Sequence, residues 1–225
     1  MLAYAIGDML PVAVAIALTP LQIIGMVLVL GGPNARAAGP SLIFGWLAAL
    51  ASVTAVAIFL VEKASEGGRA SSPFVPWLQL ALGLLLFWAA LRLWKTRPRD
   101  DAEPKMPKWL ASFGEAGPAH ALVLGATLCL ANPKTIALVL AGMTSLAYLP
   151  LSAGQLAAAA TVFVLISSSP VIALAIAHAV GGAATRARIE GLKGFMLSNN
   201  DMILMVVFAV LGVSILGKGI AGLGQ

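Results

Sequence analysis

The chain has 225 residues, of which 60% are hydrophobic and only 10% charged, and its mean hydropathy is +0.96. Soluble domains carry roughly 25% charged residues, so the composition excludes an ordinary soluble domain and predicts an integral membrane protein. The net charge of +5 does not indicate a nucleic-acid partner, because the charges lie in loops between apolar segments. The single cysteine, Cys129, excludes a disulfide within the chain and a paired-cysteine redox site.

Six apolar stretches are long enough to cross a bilayer, for which a helix needs about 20 residues. They are continuously apolar rather than alternating, which favours helices over a β-barrel. The predicted fold class is therefore an all-α integral membrane protein with six transmembrane helices. The predicted spans cover residues 5–30, 41–62, 76–95, 119–144, 152–178 and 202–220.

The first span begins at once, without a basic segment or a cleavage site, so we expect it to be retained rather than removed as a signal peptide. Asp8 lies in its outer part, and both a solvated helix start and a weak gating or proton-coupling role stay open. In "ALTPLQII", Pro20 removes a helical hydrogen bond and clashes with the preceding turn, which predicts a break. Thr19 then caps a second half-helix, and Thr19-x-x-Gln22 matches a capping box.

The basic residues predict an orientation. Ten of the fourteen Lys and Arg residues lie in the first, third and fifth loops, and three lie on the opposite side. The positive-inside bias therefore predicts both termini outside and residues 96–118 in the cytoplasm. Within this basic loop, "KMPKWLASFGEAG" is either a plain linker or an interfacial segment with Trp109, Leu110 and Phe113 dipping into the lipid.

The fourth span contains "LANPKTIAL", which combines a second predicted break with a cation. Asn132 precedes Pro133 as a capping residue, and Lys134 is the second residue of the new half-helix. No acid is expected near Lys134, since all nine lie in loops or toward span ends. An ionisable group at this depth costs about 2.5–3.5 kcal/mol on insertion scales. We expect Lys134 to bind a substrate anion; stabilisation of the break by backbone carbonyls is the alternative.

Pro20 and Pro133 stand 113 residues apart, about half of the chain. Three spans in each half make the second half inverted relative to the first, as in many secondary transporters. The predicted division is a first repeat at 1–95, the basic loop at 96–118 and a second repeat at 119–225. Two half-helix N-termini then converge at the midplane from opposite sides, where their partial positive charges favour an anion.

Further polar residues interrupt the second and fifth spans. "ISSSPVIA" places Ser167, Ser168 and Ser169 before Pro170, where a second kink is expected. Thr54 lies 113 residues before Ser167. Two interpretations stay open: these hydroxyls line a substrate cavity, or they satisfy carbonyls that the proline frees.

The Thr-Pro in the first span and the Asn-Pro-Lys in the fourth resemble the lysine exporter (LysE) superfamily. Within it, "ALTPLQIIGMVLVLGGPNARAAGPSLIFGW" and "CLANPKTIALVLAG" resemble the GAP family of glycopeptidolipid- and sulfolipid-addressing proteins. The resemblance implies a multi-pass protein of the bacterial plasma membrane that exports or translocates a glycolipid or related lipid-linked cell-envelope substrate. The motif positions that carry over are Thr19, Pro20, Gln22, Asn132, Pro133 and Lys134.

These observations together predict a transporter, not an enzyme, that moves an anionic lipid or lipid-linked saccharide through a midplane site. The expected ligands are the six motif residues together with Thr54 and the three serines, with Asp8 and Pro170 as weak gating or coupling candidates. No cofactor, metal or nucleic acid is expected; membrane lipids, a larger lipid exporter and a second copy are the expected partners. Two alternatives stay open: an accessory scaffold for a larger lipid exporter, and an exporter of amino acids or other small solutes.

Overall fold

Helices make up nearly all of the computed structural model, which describes residues 1–66, 74–96, 110, 112–144, 146 and 149–223. Long apolar segments form helices because a helix satisfies every backbone polar group within its own segment. In these described residues eight helices follow one another, namely α1 (Leu2–Ala17), α2 (Pro20–Gly31), α3 (Ala35–Glu66), α4 (Phe74–Thr96), α5 (Pro118–Leu130), α6 (Pro133–Thr144), α7 (Ala153–Val180) and α8 (Ala183–Leu223).

Four of these helices, α3, α4, α7 and α8, are each long and apolar enough to cross a membrane. The pairs α1–α2 and α5–α6 pass the same criterion jointly, with bends of 51° and 61° at their short breaks, which gives up to six spans. The structure therefore confirms the all-α membrane class. It also confirms that the first and fourth apolar segments are interrupted at the two predicted prolines.

The sixth segment differs from its prediction. Helix α8 has 41 residues and begins at Ala183 instead of residue 202, so Arg186, Arg188 and Lys193 lie on a helix and not in a loop. The prediction was wrong because it counted only apolar residues. Ten of the nineteen residues at 183–201 are Ala, Leu, Arg, Met, Lys or Glu, which favour a helix without requiring burial in lipid.

Glycines allow close packing between two pairs of helices. On α8, a Cβ at Gly212 would lie 2.9 Å from the backbone nitrogen of Phe87, and one at Gly219 would lie 2.9 Å from Leu80 Cγ, so α8 lies directly against α4. Gly45 of α3 and Gly125 of α5 each meet the other helix's backbone. Helix α7 packs on α1 and also on α3.

The segment before α5 packs against protein. Leu110 and Phe113 are each only 1% exposed, and Phe113 lies against Gly25 of α2. Of the two interpretations, the one in which these two side chains dip into lipid is therefore wrong, since the glycine leaves a recess that the aromatic ring fills. Trp109 and residues 97–108 of the basic loop lie outside the described residues.

Candidate functional site

The two helix breaks have the same backbone geometry. The C-cap residues that follow α1 and α5 are Leu18 (φ −80°, ψ 1°) and Ala131 (φ −85°, ψ 0°). Each break then closes with a short bond from the residue before proline, Thr19 to the Ile16 carbonyl and Asn132 to the Cys129 carbonyl. All of these positions correspond at the offset of 113 residues, so the sequence relation between the two prolines extends to local structure.

Proline alone does not produce these breaks. Pro11, Pro40 and Pro170 lie inside continuous helices α1, α3 and α7. At positions 20 and 133 the proline instead opens a new helix of 12 residues, where its missing N–H costs nothing. A hydrogen-bonding residue stands directly before the proline at both breaks and not before Pro11 or Pro40, but Ser169 also precedes Pro170, so this residue type alone does not determine a break.

Only one of the two expected side-chain caps is present. Asn132 Oδ1 accepts a hydrogen bond of 3.1 Å from the backbone N–H of Lys134, as predicted. The hydroxyl of Thr19 instead donates to the Ala15 carbonyl at 3.3 Å and makes no cap bond. The prediction of a Thr19 cap was wrong because the preceding turn offers this hydroxyl a carbonyl acceptor.

Gln22 stabilises the first break in a different way from the predicted capping box. Its side-chain amide donates to the carbonyls of Ile16 at 2.6 Å and Ala17 at 2.9 Å. Pro20 lacks the N–H that would have bonded to Ile16. The Ile16 carbonyl accepts from the Thr19 N–H instead, and Gln22 gives it a second donor. Its own oxygen, Oε1, is buried without a hydrogen-bond partner in the structure.

The two broken segments run antiparallel to each other and share a register. Gly25 of α2 lies against Leu128 of α5, and Val12 of α1 lies against Gly142 of α6. From the first contact to the second, the residue number falls from 25 to 12 in the first broken segment and rises from 128 to 142 in the other. A register through these two contacts brings the breaks at positions 20 and 133 to the same level, opposite each other.

Lys134 differs from its prediction as a cation without an acid nearby. Its side chain is exposed on the protein, and its ammonium lies 5.7 Å from the centre of the Phe208 ring on α8. Asp201 lies on the same face of α8, two turns before Phe208, and its charge acts on Lys134. The expectation that no acid is near Lys134 was wrong because α8 begins at Ala183, so that Asp201 lies within this helix. Lys134 is thus a cation on the protein surface with a nearby carboxylate.

Four buried side chains with unpartnered polar atoms form two pairs related by the 113-residue offset. Thr54 and Ser167 are 1% and 0% exposed, and neither hydroxyl has a hydrogen-bond partner in the structure. Gln22 and Thr135 form the second pair, each the third residue of its half-helix. Unpaired buried polar groups cost about 1–3 kcal/mol each, so these atoms are suited to accept a polar ligand or water.

The serines of α7 have different roles. Ser169 donates 2.7 Å to the Ile166 carbonyl, which is the one that Pro170 leaves free. Ser168 accepts 3.0 Å from the Trp46 indole of α3. The hydroxyl of Ser167 therefore differs from both, because it has no such partner.

An open apolar groove of about 770 Å³ lies between α3 and α7. Six of its sixteen described lining residues are alanines, including Ala51 and Ala157, most of the others are larger apolar residues, and Thr54 lies in the α3 wall. Phe44, Phe59 and other large side chains at its edges are more than half exposed, so the groove opens at the side of the bundle.

A comparison with protein families identifies the chain. The sequence profile of SfLAP, described as "Sap, sulfolipid-1-addressing protein", matches residues 9–221, which include both breaks, Lys134 and the groove. The chain belongs to the SfLAP family. Comparison with curated proteins and with solved structures finds no match.

In this SfLAP-family chain, Asp8 lies one residue before the matched region and forms an ion pair with Lys218 of α8 at 2.6 Å. Both side chains are partly exposed. The pair ties the start of α1 to the end of α8, and the gating or coupling role of Asp8 stays a prediction.

Sequence reasoning missed Thr135, Gln79 and Phe208. The 113-residue offset between the two halves could have identified Thr135, because it is the counterpart of Gln22. Gln79 donates 3.3 Å to the Thr144 hydroxyl and keeps an unpartnered oxygen, but it has no polar counterpart at the offset. Nothing in the local sequence of Phe208 indicates that it faces Lys134.

Proposed function

We propose that this SfLAP-family protein moves a lipid with a negatively charged headgroup across the membrane. The headgroup passes the two helix breaks, and the acyl chains lie in the groove between α3 and α7. The lateral groove carries this proposal, because a lipid transporter needs a path open to the hydrocarbon and a small-solute exporter does not. The family description, sulfolipid-1-addressing protein, refers to an anionic lipid, which supports an anionic lipid substrate.

The groove has the size and lining that a lipid chain requires. Its volume of about 770 Å³ lies within the roughly 300–1,000 Å³ of typical small-molecule sites. Alanines on both walls leave room between the two helices. Glu62 lies at one end of the α3 wall, and Thr54, whose hydroxyl is buried, lies part-way along it. A chain in the groove would thus pass the position of Thr54.

The break at α6 supplies the positive charge for the headgroup. Lys134 is exposed and is held over an aromatic face instead of being locked in an ion pair. The N-terminus of α6 adds a partial positive charge at the same place. Asn132, Thr135, Gln22 and Ser167 then supply hydrogen-bonding groups for a sulfate, phosphate or sugar. An incoming anion competes with Asp201 for Lys134.

We further propose that the two halves form inverted repeats of a LysE-type transporter, which alternate access by rocking against each other. The helix packing supports this relation. Helix α3 packs on α5 and its counterpart α7 packs on α1, while α4 packs on its own counterpart α8. The matching backbone at Leu18 and Ala131 is a second, independent support.

Reconstitution into liposomes tests the function. The purified chain is placed in vesicles with a trace of fluorescent sulfated glycolipid, and a membrane-impermeant quencher reports movement between leaflets. Wild type should move the sulfated lipid faster than protein-free vesicles do. An accessory scaffold, acting only with a larger exporter, or an enzyme would give no movement above that background.

A pair of adjacent alanines tests the groove itself. Ala157→Trp fills the groove, whereas Ala158→Trp adds the same side chain at an exposed neighbouring position that does not line it. We expect Ala157→Trp to slow lipid movement at least tenfold and Ala158→Trp to leave it near the wild-type rate. Equal rates in both variants would remove the groove from the transport path.

A further inference from the structure

A second cavity, of about 600 Å³, lies at the end of the bundle where α2 and α7 end and α3 and α8 begin. The Gly31–Pro33 turn forms one side of it. Arg36 from α3, His178 from α7, and Arg186 and Glu190 from α8 carry the ionisable groups of its lining. We call this cavity the arginine vestibule. It is separate from the breaks, since the 12 residues of α2 extend about 18 Å between them.

The side chains make the arginine vestibule positive. Two helix N-termini and two helix C-termini meet there, so their dipoles largely offset each other. Glu190 is the one acid among the lining residues, and it forms an ion pair with Lys193. Neither arginine makes an ion pair within the part of the chain that the structure describes, and Arg186 acts electrostatically on His178.

This arrangement suits an anion with several oxygens. The guanidinium groups come from two different helices, so both can face a ligand between them. Arginine donates in a planar fork that matches phosphate or sulfate oxygens. Gly31 is part of the lining, and a Cβ there would meet no atom within 4 Å among the described residues. No side chain of these residues therefore occupies this side of the cavity.

We propose that the arginine vestibule is a loading site, which binds the sulfate or phosphate headgroup of the lipid before it reaches the breaks. This proposal rests on the proposed function and adds where the substrate enters. The positive-inside prediction puts this end at the cytoplasm, which corresponds to export. Arg36 and Arg186 hold the anion, and Glu190 weakens its binding enough for release.

Binding curves on the full chain in neutral detergent test the vestibule. A short-chain sulfated glycolipid is titrated against wild type, Arg36→Gln, Arg186→Gln and Arg188→Gln. Arg188 is the control, since it is an exposed arginine on the same helix that does not line the cavity. We expect about tenfold weaker binding for each vestibule variant, the loss typical of one charge-assisted hydrogen bond. Arg188→Gln should bind like wild type.

Glu190→Gln should change the affinity for the short-chain lipid in the opposite direction. Removing this negative charge should tighten binding several-fold, a result that damage to the fold does not produce. Equal binding by wild type and both arginine variants, or equal losses in all three arginine variants, would overturn the proposal.

Inorganic sulfate and phosphate distinguish the source of the anion. If the headgroup charge is what binds, either ion should displace the short-chain lipid at millimolar concentration, and the lipid should bind more tightly than the free ions. Tighter binding of a free ion than of the lipid would contradict a lipid-loading site. Transport by wild-type vesicles is read separately, so normal binding without lipid movement would reject the proposed function and keep the vestibule.

Discussion

The indole N–H of Trp46 on α3 donates a hydrogen bond of 3.0 Å to the hydroxyl of Ser168 on α7. Both residues are at most 1% exposed, and they lie 122 positions apart in the chain. This bond joins the two helices that form the walls of the lateral groove. It therefore fixes the spacing that the proposed lipid path requires.

Ser168→Ala should destabilise the protein by about 1–3 kcal/mol, because it leaves the Trp46 N–H buried without an acceptor. Ser169→Ala is the matched control, since that exposed hydroxyl bonds only within its own helix. Thermal unfolding in detergent measures both. Similar melting temperatures for the two variants would show that the bond between the helices contributes little.

Glycine substitutions on α8 should separate packing from helix propensity. Gly212→Ala places a Cβ 2.9 Å from the Phe87 backbone and should lower the melting temperature by pushing α8 away from α4. Gly217→Ala meets open space, and alanine favours a helix over glycine by about 0.8–1.0 kcal/mol. It should therefore leave stability unchanged or raise it. A loss of stability in Gly217→Ala as large as that in Gly212→Ala would contradict the α4–α8 packing described above.

Gln22→Leu should destabilise the first break by about 2–3 kcal/mol, because two hydrogen bonds of about 1–1.5 kcal/mol each are lost from a buried side chain. Gln22→Glu should cost more, since its carboxylate would face the Ile16 and Ala17 carbonyls. Gln155→Leu is the control, as it removes only the exposed capping box at the start of α7. Unfolding in denaturant should show the largest loss of stability for Gln22→Glu, a smaller loss for Gln22→Leu and the smallest for Gln155→Leu. A Gln22→Leu variant as stable as wild type would mean that Gln22 does not stabilise the break.

The helix breaks were predictable because their causes are local. Proline removes one helical hydrogen bond, and the residue before it supplies a polar side chain. The apolar residues on both sides place the break near the middle of the predicted span. The same reasoning gave five spans with nearly correct ends. It placed the start of the sixth wrongly, because a helix outside lipid needs no apolar run, and residues 183–201 provide none.

The contacts across the bundle were not predictable from local sequence. Thr19 is predicted to cap a helix, yet its hydroxyl bonds to Ala15, and the Gln22 side chain bonds to the Ile16 and Ala17 carbonyls. An interfacial segment is one of two interpretations for Leu110 and Phe113, yet a recess at Gly25 receives the aromatic ring. Lys134 is predicted to have no acid nearby, yet α8, more than 60 residues later in the chain, brings Phe208 to 5.7 Å from its ammonium and Asp201 near it. Each of these outcomes depends on which helices become neighbours.

The central claim is that Lys134 carries the headgroup's negative charge through the break. The most direct measurement compares leaflet-to-leaflet movement of a sulfated lipid by wild type, Lys134→Gln and the control Lys95→Gln in liposomes, with protein incorporation checked for each. The account predicts that Lys134→Gln inserts normally but loses movement of the sulfated lipid, whereas Lys95→Gln, at the exposed end of α4, moves it at the wild-type rate. Wild-type movement by Lys134→Gln would contradict the claim.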